Sequence, residues 1–221
     1  MSDILGKSNH EDQFNEDYFL KVGTSSQVEK FREEYNLITK LSPLKPYDKV
    51  LEVGCGNGRV GLYLLSQEKT LDMTFSDVTP VAKKYLSDYN FVECSMTKTP
   101  FPDNNFDKVY CSQVLNHIED GERAIKEMYR ILKPGGSFLI MTQNPYCVFI
   151  YKLGSFFKLT PKFEYDKTVK RIHSTGGLLN LLKRQGFKIK KKQYYSNFIS
   201  LKLKLNFLRT RLLIIAYKLN T

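Results

Sequence analysis

Short apolar runs alternate along this chain with segments in which apolar residues recur every three or four positions. The runs are typical of buried parallel strands, and the spaced segments are typical of amphipathic helices. Seven strands are predicted, at residues 49–54, 71–77, 91–94, 106–111, 137–142, 187–195 and 211–219. Helices are predicted at residues 58–67, from Pro80 onward, and at residues 121–133 and 174–187.

The order of these elements predicts an α/β fold. Strands that alternate with helices form right-handed crossovers and a parallel, doubly wound sheet. The last two strands have no clear helix between them, so one of them is expected to run antiparallel in a seven-stranded sheet. Residues 198–208 fit a strand or a helix equally well.

The length and organisation of the chain favour one domain over residues 1–221. We predict an N-terminal helical segment at 1–46, a core at 47–143, and an inserted lid. The lid is made of two segments, 144–172 and 194–210, which we call the cap. Because no signal-peptide pattern and no apolar run of ~18 residues is present, a cytoplasmic protein is expected. The spacing of Cys55, Cys94, Cys111 and Cys147 predicts reduced thiols and no metal site.

The net charge of +11 is unevenly distributed. Residues 150–221 carry 17 Lys and Arg against two acids, a net +15, whereas residues 1–149 carry 17 basic and 21 acidic residues, a net −4. A basic C-terminal third attracts an anionic partner. Its chemistry alone leaves a membrane surface, RNA and an anionic small molecule open.

The stretch LEVGCGNGRVG at residues 51–61 can be read in two frames. A G-x-G-x-x-G frame from Gly56 to Gly61 is the dinucleotide fingerprint of hydride-transfer enzymes. A G-x-G-x-G frame from Gly54 to Gly58 begins directly after the predicted strand, where the chain must turn. Glu52 favours this second frame, because a carboxylate suits a cationic ligand and would repel a pyrophosphate.

Motifs further along the chain support the second frame. Asp77 ends the second strand, and PFPDNNFDKVYCSQVLNHIED and EMYRILKPGGSFLIMT follow in order. Over residues 47–142 the sequence resembles the class I S-adenosylmethionine-dependent methyltransferases, especially the small-molecule branch that includes ubiquinone and menaquinone biosynthesis enzymes. The resemblance implies a Rossmann-like sheet and methyl transfer from S-adenosylmethionine.

The resemblance also implies which residues bind the cofactor. Glu52 and the loop Gly54–Gly58 match the motif that holds the methionine part, and Asp77 matches the acid that binds the ribose hydroxyls. Residues near the adenine or the methionine end are implied at Val78, Ser95, Met96, Thr97, Ser112 and Gln113, and the full loop comprises Gly54, Cys55, Gly56, Asn57 and Gly58. Ser95 departs from the family, which often has Asp there.

Several residues are candidates for acceptor chemistry. His117 could act as a general base or pack near the cofactor, and His173 could reach the pocket mouth or flank a helix. Tyr146 could orient the acceptor or serve packing, and Tyr18 could fold over the cofactor or lie exposed. The NPY stretch at 144–146 follows the fifth strand, not the fourth, and is predicted to be a turn.

The apolar and basic residues of the cap indicate which partners the protein could bind. Residues 147–159 can place Phe149, Leu153, Phe156 and Phe157 on one helical face. That face could be buried against the sheet or could insert into an anionic lipid surface, which would suit an apolar or lipid-like acceptor. RNA is the alternative partner. A different class of function is also open, namely a protein that binds the cofactor but catalyses no reaction. A dehydrogenase is a further alternative, and it requires the G-x-G-x-x-G frame from Gly56 to Gly61.

Overall fold

A computed structural model describes residues 31–157, 168–195 and 211–220. Its helices are α1 (Arg32–Leu41), α2 (Arg59–Gln67), α3 (Val81–Tyr85), α4 (Gly121–Ile131), α5 (Pro145–Phe156) and α6 (Thr175–Arg184). Its strands are β1 (Lys49–Val53), β2 (Asp72–Asp77), β3 (Asn90–Glu93), β4 (Phe106–Ser112), β5 (Leu132–Gln143), β6 (Phe187–Tyr195) and β7 (Arg211–Lys218). The predicted strand-or-helix segment 198–208 and residue Tyr18 lie outside the described residues.

The strands form one sheet in the order β3-β2-β1-β4-β5-β7-β6. Strands β1 to β5 pair in parallel, and β7 runs antiparallel to both β5 and β6. The predicted α/β sheet of seven strands with one reversed strand is therefore confirmed. The chain builds outward from β1 to β3 and then returns to place β4 on the other side of β1. Ligands of open α/β sheets bind at such a reversal, beyond the carboxyl ends of the strands.

Two apolar clusters cover the two faces of the sheet. Helices α4 and α6 pack on one face, and α1, α2 and α3 pack on the other. Strand β7 contributes to both clusters: Leu212, Ile214 and Ala216 point to one face, and Leu213 and Ile215 point to the other. Because successive strand side chains alternate between faces, a strand buried on both sides reads as a continuous apolar run, as the sequence predicted.

Strand β5 begins earlier than predicted. It starts at Leu132, not at 137, and includes the Pro-Gly-Gly segment that the sequence suggested would lie between helix and strand. The pairing with β4 shifts register there, since Phe106 pairs with Leu132 and Lys108 pairs with Ser137. Gly135 takes a φ of 76°. A bulge thus accommodates the breaker residues inside the strand.

Charged side chains fix the segment that follows β3. Glu127 on α4 accepts hydrogen bonds from the backbone N–H and the hydroxyl of Thr99, both at 2.7 Å. Arg130 donates to both carboxylate oxygens of Glu127, at 2.7 and 2.9 Å. The guanidinium of Arg130, together with Thr99, lowers the pKa of Glu127 to about 2. The carboxylate therefore stays ionised and holds residues 95–99 beside the carboxyl ends of the strands.

The predicted amphipathic helix at 147–159 corresponds to α5, which begins at Pro145. The interpretation of residues 144–146 as a turn is wrong, because the side-chain oxygen of Asn144 accepts the backbone N–H of Tyr146 at 3.1 Å and starts this helix. Within the described residues Phe149 is 66% exposed and Phe156 is 80% exposed. No helix among the described residues has both the length and the apolar character needed to cross a bilayer.

Candidate active site

A cavity of about 710 Å³ opens at the carboxyl edge of the sheet, at the order reversal between β1 and β4. Most of the site residues named from the sequence line this one cavity. They are Glu52, Gly54, Cys55, Gly56, Asn57, Asp77, Val78, Ser95, Met96, Thr97, Ser112, Gln113 and His117. The fold thus gathers segments that are up to 65 residues apart along the chain, from Glu52 to His117.

The loop after β1 depends on three glycines with positive φ. The φ angles are 62° at Gly54, 54° at Gly56 and 73° at Gly58, in the left-handed region that other residues rarely occupy. A Cβ atom at Gly54 would lie 2.3 Å from a methyl group of Val114. The conformational demand therefore follows the G-x-G-x-G frame, which begins where β1 ends.

Two of the glycines serve packing, not the cavity wall. Gly58 is not among the residues that line the cavity, and a Cβ there would lie 2.5 Å from Leu86. Gly61, which is the last glycine of the shifted frame, lies inside α2, and a Cβ there would lie 2.4 Å from Phe75. Gly61 is needed because α2 packs close to β2, whichever cofactor binds.

Two buried carboxylates hold this loop in place. Glu52 accepts the backbone N–H groups of Val60 at 3.3 Å and Gly61 at 2.7 Å, at the start of α2. Asp77 accepts the N–H of Gly56 at 2.9 Å and of Thr79 at 3.1 Å. Burial raises the pKa of Glu52 to about 7 and also raises the pKa of Asp77. Each oxygen keeps a second lone pair, so Asp77 can support the loop and still accept from a ligand.

The segment after β3 forms another part of the wall. Met96 is buried, and the hydroxyls of Ser95 and Thr97 lie 2.9 Å apart in a hydrogen bond. This part of the wall therefore offers hydroxyl groups to a ligand.

Arg59 is a site residue that the sequence analysis missed. Its Nη2 donates to Glu34 at 2.6 Å and to Ser112 at 3.3 Å, and the guanidinium lies 3.9 Å from the ring centroid of Phe31. Its Nη1 is buried and has no acceptor in the described part of the chain. The only sequence signal was its position directly after Gly58, because its partners come from distant segments.

His117 lines the cavity just beyond β4, and its Nδ1 lies 2.8 Å from the hydroxyl of Thr168. When Nδ1 donates this hydrogen bond, Nε2 is the basic nitrogen, and when the hydroxyl donates, Nε2 carries the proton. Thr168 therefore holds the orientation of the ring, and this hydrogen bond is compatible with either tautomer. The backbone N–H groups of Lys170 and Arg171 both bond to the carbonyl of Asn116 and hold the two segments together.

The other two catalytic candidates do not line the cavity. His173 packs at the start of α4, where a Cβ on Gly121 would lie 3.2 Å from its ring, and burial lowers its pKa. Tyr146 lies on α5 and is 54% exposed. Among the candidates in the described ranges, the structure therefore brings only His117 to the site.

Three residues from the second half of the chain complete the cavity. Gln143, Lys170 and Arg211 line the side away from Asp77, and the sequence analysis named none of them. Arg211 could not be found from spacing, because it reaches the site through the reversed strand β7.

Comparison with known proteins gives the class of this site. Residues 51–140 match the model of a family described as a methyltransferase domain. The chain is 31% identical over 140 residues to phosphoethanolamine N-methyltransferase 1 of Zea mays, covering 59% of this chain and 26% of that protein. It is 30% identical over 171 residues to cycloartenol-C-24-methyltransferase of Arabidopsis thaliana, covering 72% and 49%. It is 33% identical over 106 residues to a ubiquinone/menaquinone biosynthesis C-methyltransferase of Rickettsia bellii, covering 42% and 43%.

Solved structures share the fold. A SAM-dependent methyltransferase from Thermotoga maritima superimposes with a TM-score of 0.67 at 18% identity, covering 95% of this chain and 99% of that chain. The [4+2]-cyclase SpnF superimposes with a TM-score of 0.66 at 19% identity, covering 86% and 81%. The chain spans about a quarter to a half of the length of the three curated relatives above.

The chain therefore contains a class I S-adenosylmethionine-dependent methyltransferase domain. The resemblance inferred from the motifs is confirmed, and S-adenosylmethionine is the cofactor that this domain class uses. The dehydrogenase interpretation, which required the shifted glycine frame, is set aside.

The residues present fit this cofactor. The loop after β1 has the open backbone that a close ligand requires, and Asp77 can accept hydrogen bonds from a ribose. The buried Nη1 of Arg59, which lacks an acceptor in the described ranges, suits the carboxylate of the methionine part. These groups lie around one cavity, so one molecule could engage them together.

Asp77 provides a direct test of the cofactor site. Asp77→Asn replaces the charged carboxylate with a neutral amide, so the hydrogen bonds that this side chain accepts become weaker. Hydrogen bonds to charged groups are worth about 1.5–3 kcal/mol. We therefore expect the affinity for S-adenosylhomocysteine to fall about 10-fold to 100-fold in calorimetry. Asp72→Asn, at the exposed start of the same strand, is the control and should leave affinity unchanged. Equal affinity in both variants would contradict the assignment of Asp77.

Proposed function

We propose that this protein transfers a methyl group from S-adenosylmethionine to a small-molecule or lipid-like acceptor by in-line displacement. The observation that carries the proposal is the single cavity shared by the glycine loop, Asp77 and His117. When bound, the cofactor supplies a methyl group that is already activated by its sulfonium. The protein then has to align the acceptor and exclude water, which such a cavity does.

Residues on the cavity wall divide this work in our proposal. Glu52, Gly54, Cys55, Gly56 and Asn57 form the methionine side, and Asp77, Val78, Ser95, Met96 and Thr97 form the ribose and adenine side. Gly58 supports the methionine side from behind the wall, where it packs against Leu86. Ser112 and Gln113 lie at the methionine end of the cofactor half, on the side that faces the acceptor. His117, with its ring oriented by Thr168, is the general base if the acceptor must lose a proton.

Relatives with named substrates support a small acceptor. Their names refer to phosphoethanolamine, a sterol and quinones, which are all small molecules. RNA methylation is the alternative, supported by the basic C-terminal third. One fold neighbour is named as a cyclase, so the fold by itself does not determine the reaction. A protein that binds the cofactor without transferring its methyl group is therefore the alternative of another class.

Transfer of labelled methyl groups tests the function. The protein is incubated with labelled S-adenosylmethionine and with cell extract separated into small-molecule, lipid and RNA pools. We expect label in the small-molecule or lipid pool, and we expect Asp77→Asn to reduce it because cofactor binding is weakened. Label in the RNA pool alone would favour the alternative, and no label in any pool would favour the non-catalytic protein.

His117 is tested in the same assay. His117→Gln should lower turnover about 10²-fold to 10⁴-fold if the ring is a general base, with unchanged affinity for S-adenosylhomocysteine. His173→Gln is the matched control, because that ring lies outside the cavity, and should keep full turnover. If cofactor affinity falls in His117→Gln and turnover at saturating cofactor does not, the ring serves packing and not proton transfer.

We also propose that the cap, residues 144–172 and 194–210, brings the enzyme to an anionic membrane surface as a peripheral protein. Support comes from the exposed apolar side chains of α5, among them Phe149 and Phe156, and from the net +15 of residues 150–221. Aromatic insertion and attraction between lysines and anionic lipids act together at such a surface.

Vesicle co-sedimentation checks this proposal. Binding to vesicles with anionic lipid should weaken with salt, because the Debye length falls from ~10 Å at 0.1 M to ~3 Å at 1 M. Phe156→Asp should reduce the binding that remains. Tyr47→Asp, on a side chain that is 77% exposed beside the start of β1, is the control and should bind as the native chain does. Binding to RNA but not to vesicles would overturn the proposal.

A further inference from the structure

Arg211 reaches the cavity because β7 is reversed. In a strand parallel to its neighbours the first residue would lie at the opposite edge of the sheet, but the first residue of β7 lies level with Gln143, the last residue of β5. From there the side chain extends past β5, and its Nη1 donates to the Oε1 of Gln113, just beyond β4. Both side chains line the cavity.

Most of the other charged groups of the cavity already have partners. Arg59 is paired with Glu34, Glu52 and Asp77 accept backbone N–H groups, and Asp120 accepts the N–H of Arg123 at the start of α4. In the described ranges no carboxylate, including that of Glu119, lies within ion-pair distance of Arg211. A guanidinium is always charged, so an anion beside it would be stabilised.

Gln113 adds a second donor at the same place. Its φ of 61° is uncommon for a residue other than glycine, and such outliers collect at functional sites. Its Oε1 is committed to Arg211, which leaves Nε2 as the group that can act on a ligand. Nε2 is buried and has no acceptor in the part of the chain that the structure describes. The pair therefore offers donors and no acceptor, which matches a carboxylate or a phosphate.

The position of the pair separates it from the proposed cofactor half. The residues expected to hold ribose and adenine follow β2 and β3, whereas β7 lies three strands beyond β1 in the other direction. The guanidinium itself extends back to Gln113 beyond β4, so the pair lies one strand spacing of about 4.8 Å from β1 and two spacings from β2. Lys170 adds a further cation to the cavity wall. Because the buried Nη1 of Arg59 is the donor that suits the cofactor carboxylate, an anion at Arg211 is assigned to the second substrate.

We propose that Arg211 and Gln113 bind an anionic group, a carboxylate or a phosphate, of the methyl acceptor. This inference rests on the proposed methyl transfer and narrows its acceptor to molecules that carry such a group. Arg211 is then a binding and specificity residue. It holds the acceptor by a group other than the atom that receives the methyl.

Calorimetry with two probes tests this inference. The native protein is first titrated with S-adenosylhomocysteine, and the saturated protein is then titrated with inorganic phosphate and, separately, with acetate at constant ionic strength. We expect saturable binding of at least one anion. Arg211→Gln should weaken that binding by at least about tenfold, and Arg211→Lys, which keeps the charge, should weaken it less. Lys188→Gln, on the exposed face of β6, should have no effect.

The outcomes distinguish a failure of the proposed function from a failure of the acceptor inference. If S-adenosylhomocysteine does not bind, the proposed function itself fails. If it binds and neither anion does, or if Arg211→Gln binds the anions as the native protein does, the acceptor inference is overturned and the methyltransferase assignment stands. If Arg211→Gln weakens S-adenosylhomocysteine as much as the anions, Arg211 serves the carboxylate of the cofactor and the inference is also overturned. Unchanged S-adenosylhomocysteine affinity in Arg211→Gln, with anion binding lost, supports it and shows that the variant is folded.

Discussion

The candidate site depends on two buried carboxylates, one that binds the backbone of the glycine loop and one that binds the start of the helix after it. Glu52 accepts N–H groups at the start of α2, and Asp77 accepts the N–H of Gly56. A loop with three left-handed glycines has much conformational freedom to lose, and these fixed acceptors compensate for that loss. Burial raises the pKa of both groups, so their position is maintained at a cost in desolvation. The carboxylate of Asp77 is therefore oriented by backbone groups of the protein itself.

The two possible readings of the glycine stretch reflect two physical demands on the same residues. Positive φ angles at Gly54, Gly56 and Gly58 follow the methyltransferase frame. The packing of Gly61 against Phe75 meets the other demand, a close approach of helix to strand. Because both demands select glycine, the run alone was ambiguous in the sequence. The length of β1 resolves it, since Gly54 comes directly after Val53.

Local patterns predicted the elements well, and distant contacts limited the prediction of the site. Apolar runs indicated the inner strands, which are buried on both faces, whereas the edge strands β3 and β6 are partly exposed and carry a weaker signal. The bulge that begins β5 at Leu132 required knowledge of its pairing with Phe106. The cavity residues that follow the ends of β1 to β4 were named from motifs, and their contacts with the cofactor stay predictions. Arg59 and Arg211 could not, because their roles depend on Glu34 and Gln113, which lie 25 and 98 positions away along the chain.

Glu34 links the cofactor side of the cavity to the segments that flank it. Its carboxylate is buried and accepts from Arg59 at 2.6 Å and from the hydroxyl of Tyr195 at 2.9 Å. A buried ion pair contributes little net stability, because desolvation offsets the attraction, but removing one partner is costly. The main effect of this ion pair is to position the elements around it. Helix α1 and the end of β6, where the second cap segment begins, are both held against the guanidinium whose Nη1 suits the cofactor carboxylate. The wall of the cavity and the end of β6 are thus joined through one ion pair, Arg59–Glu34.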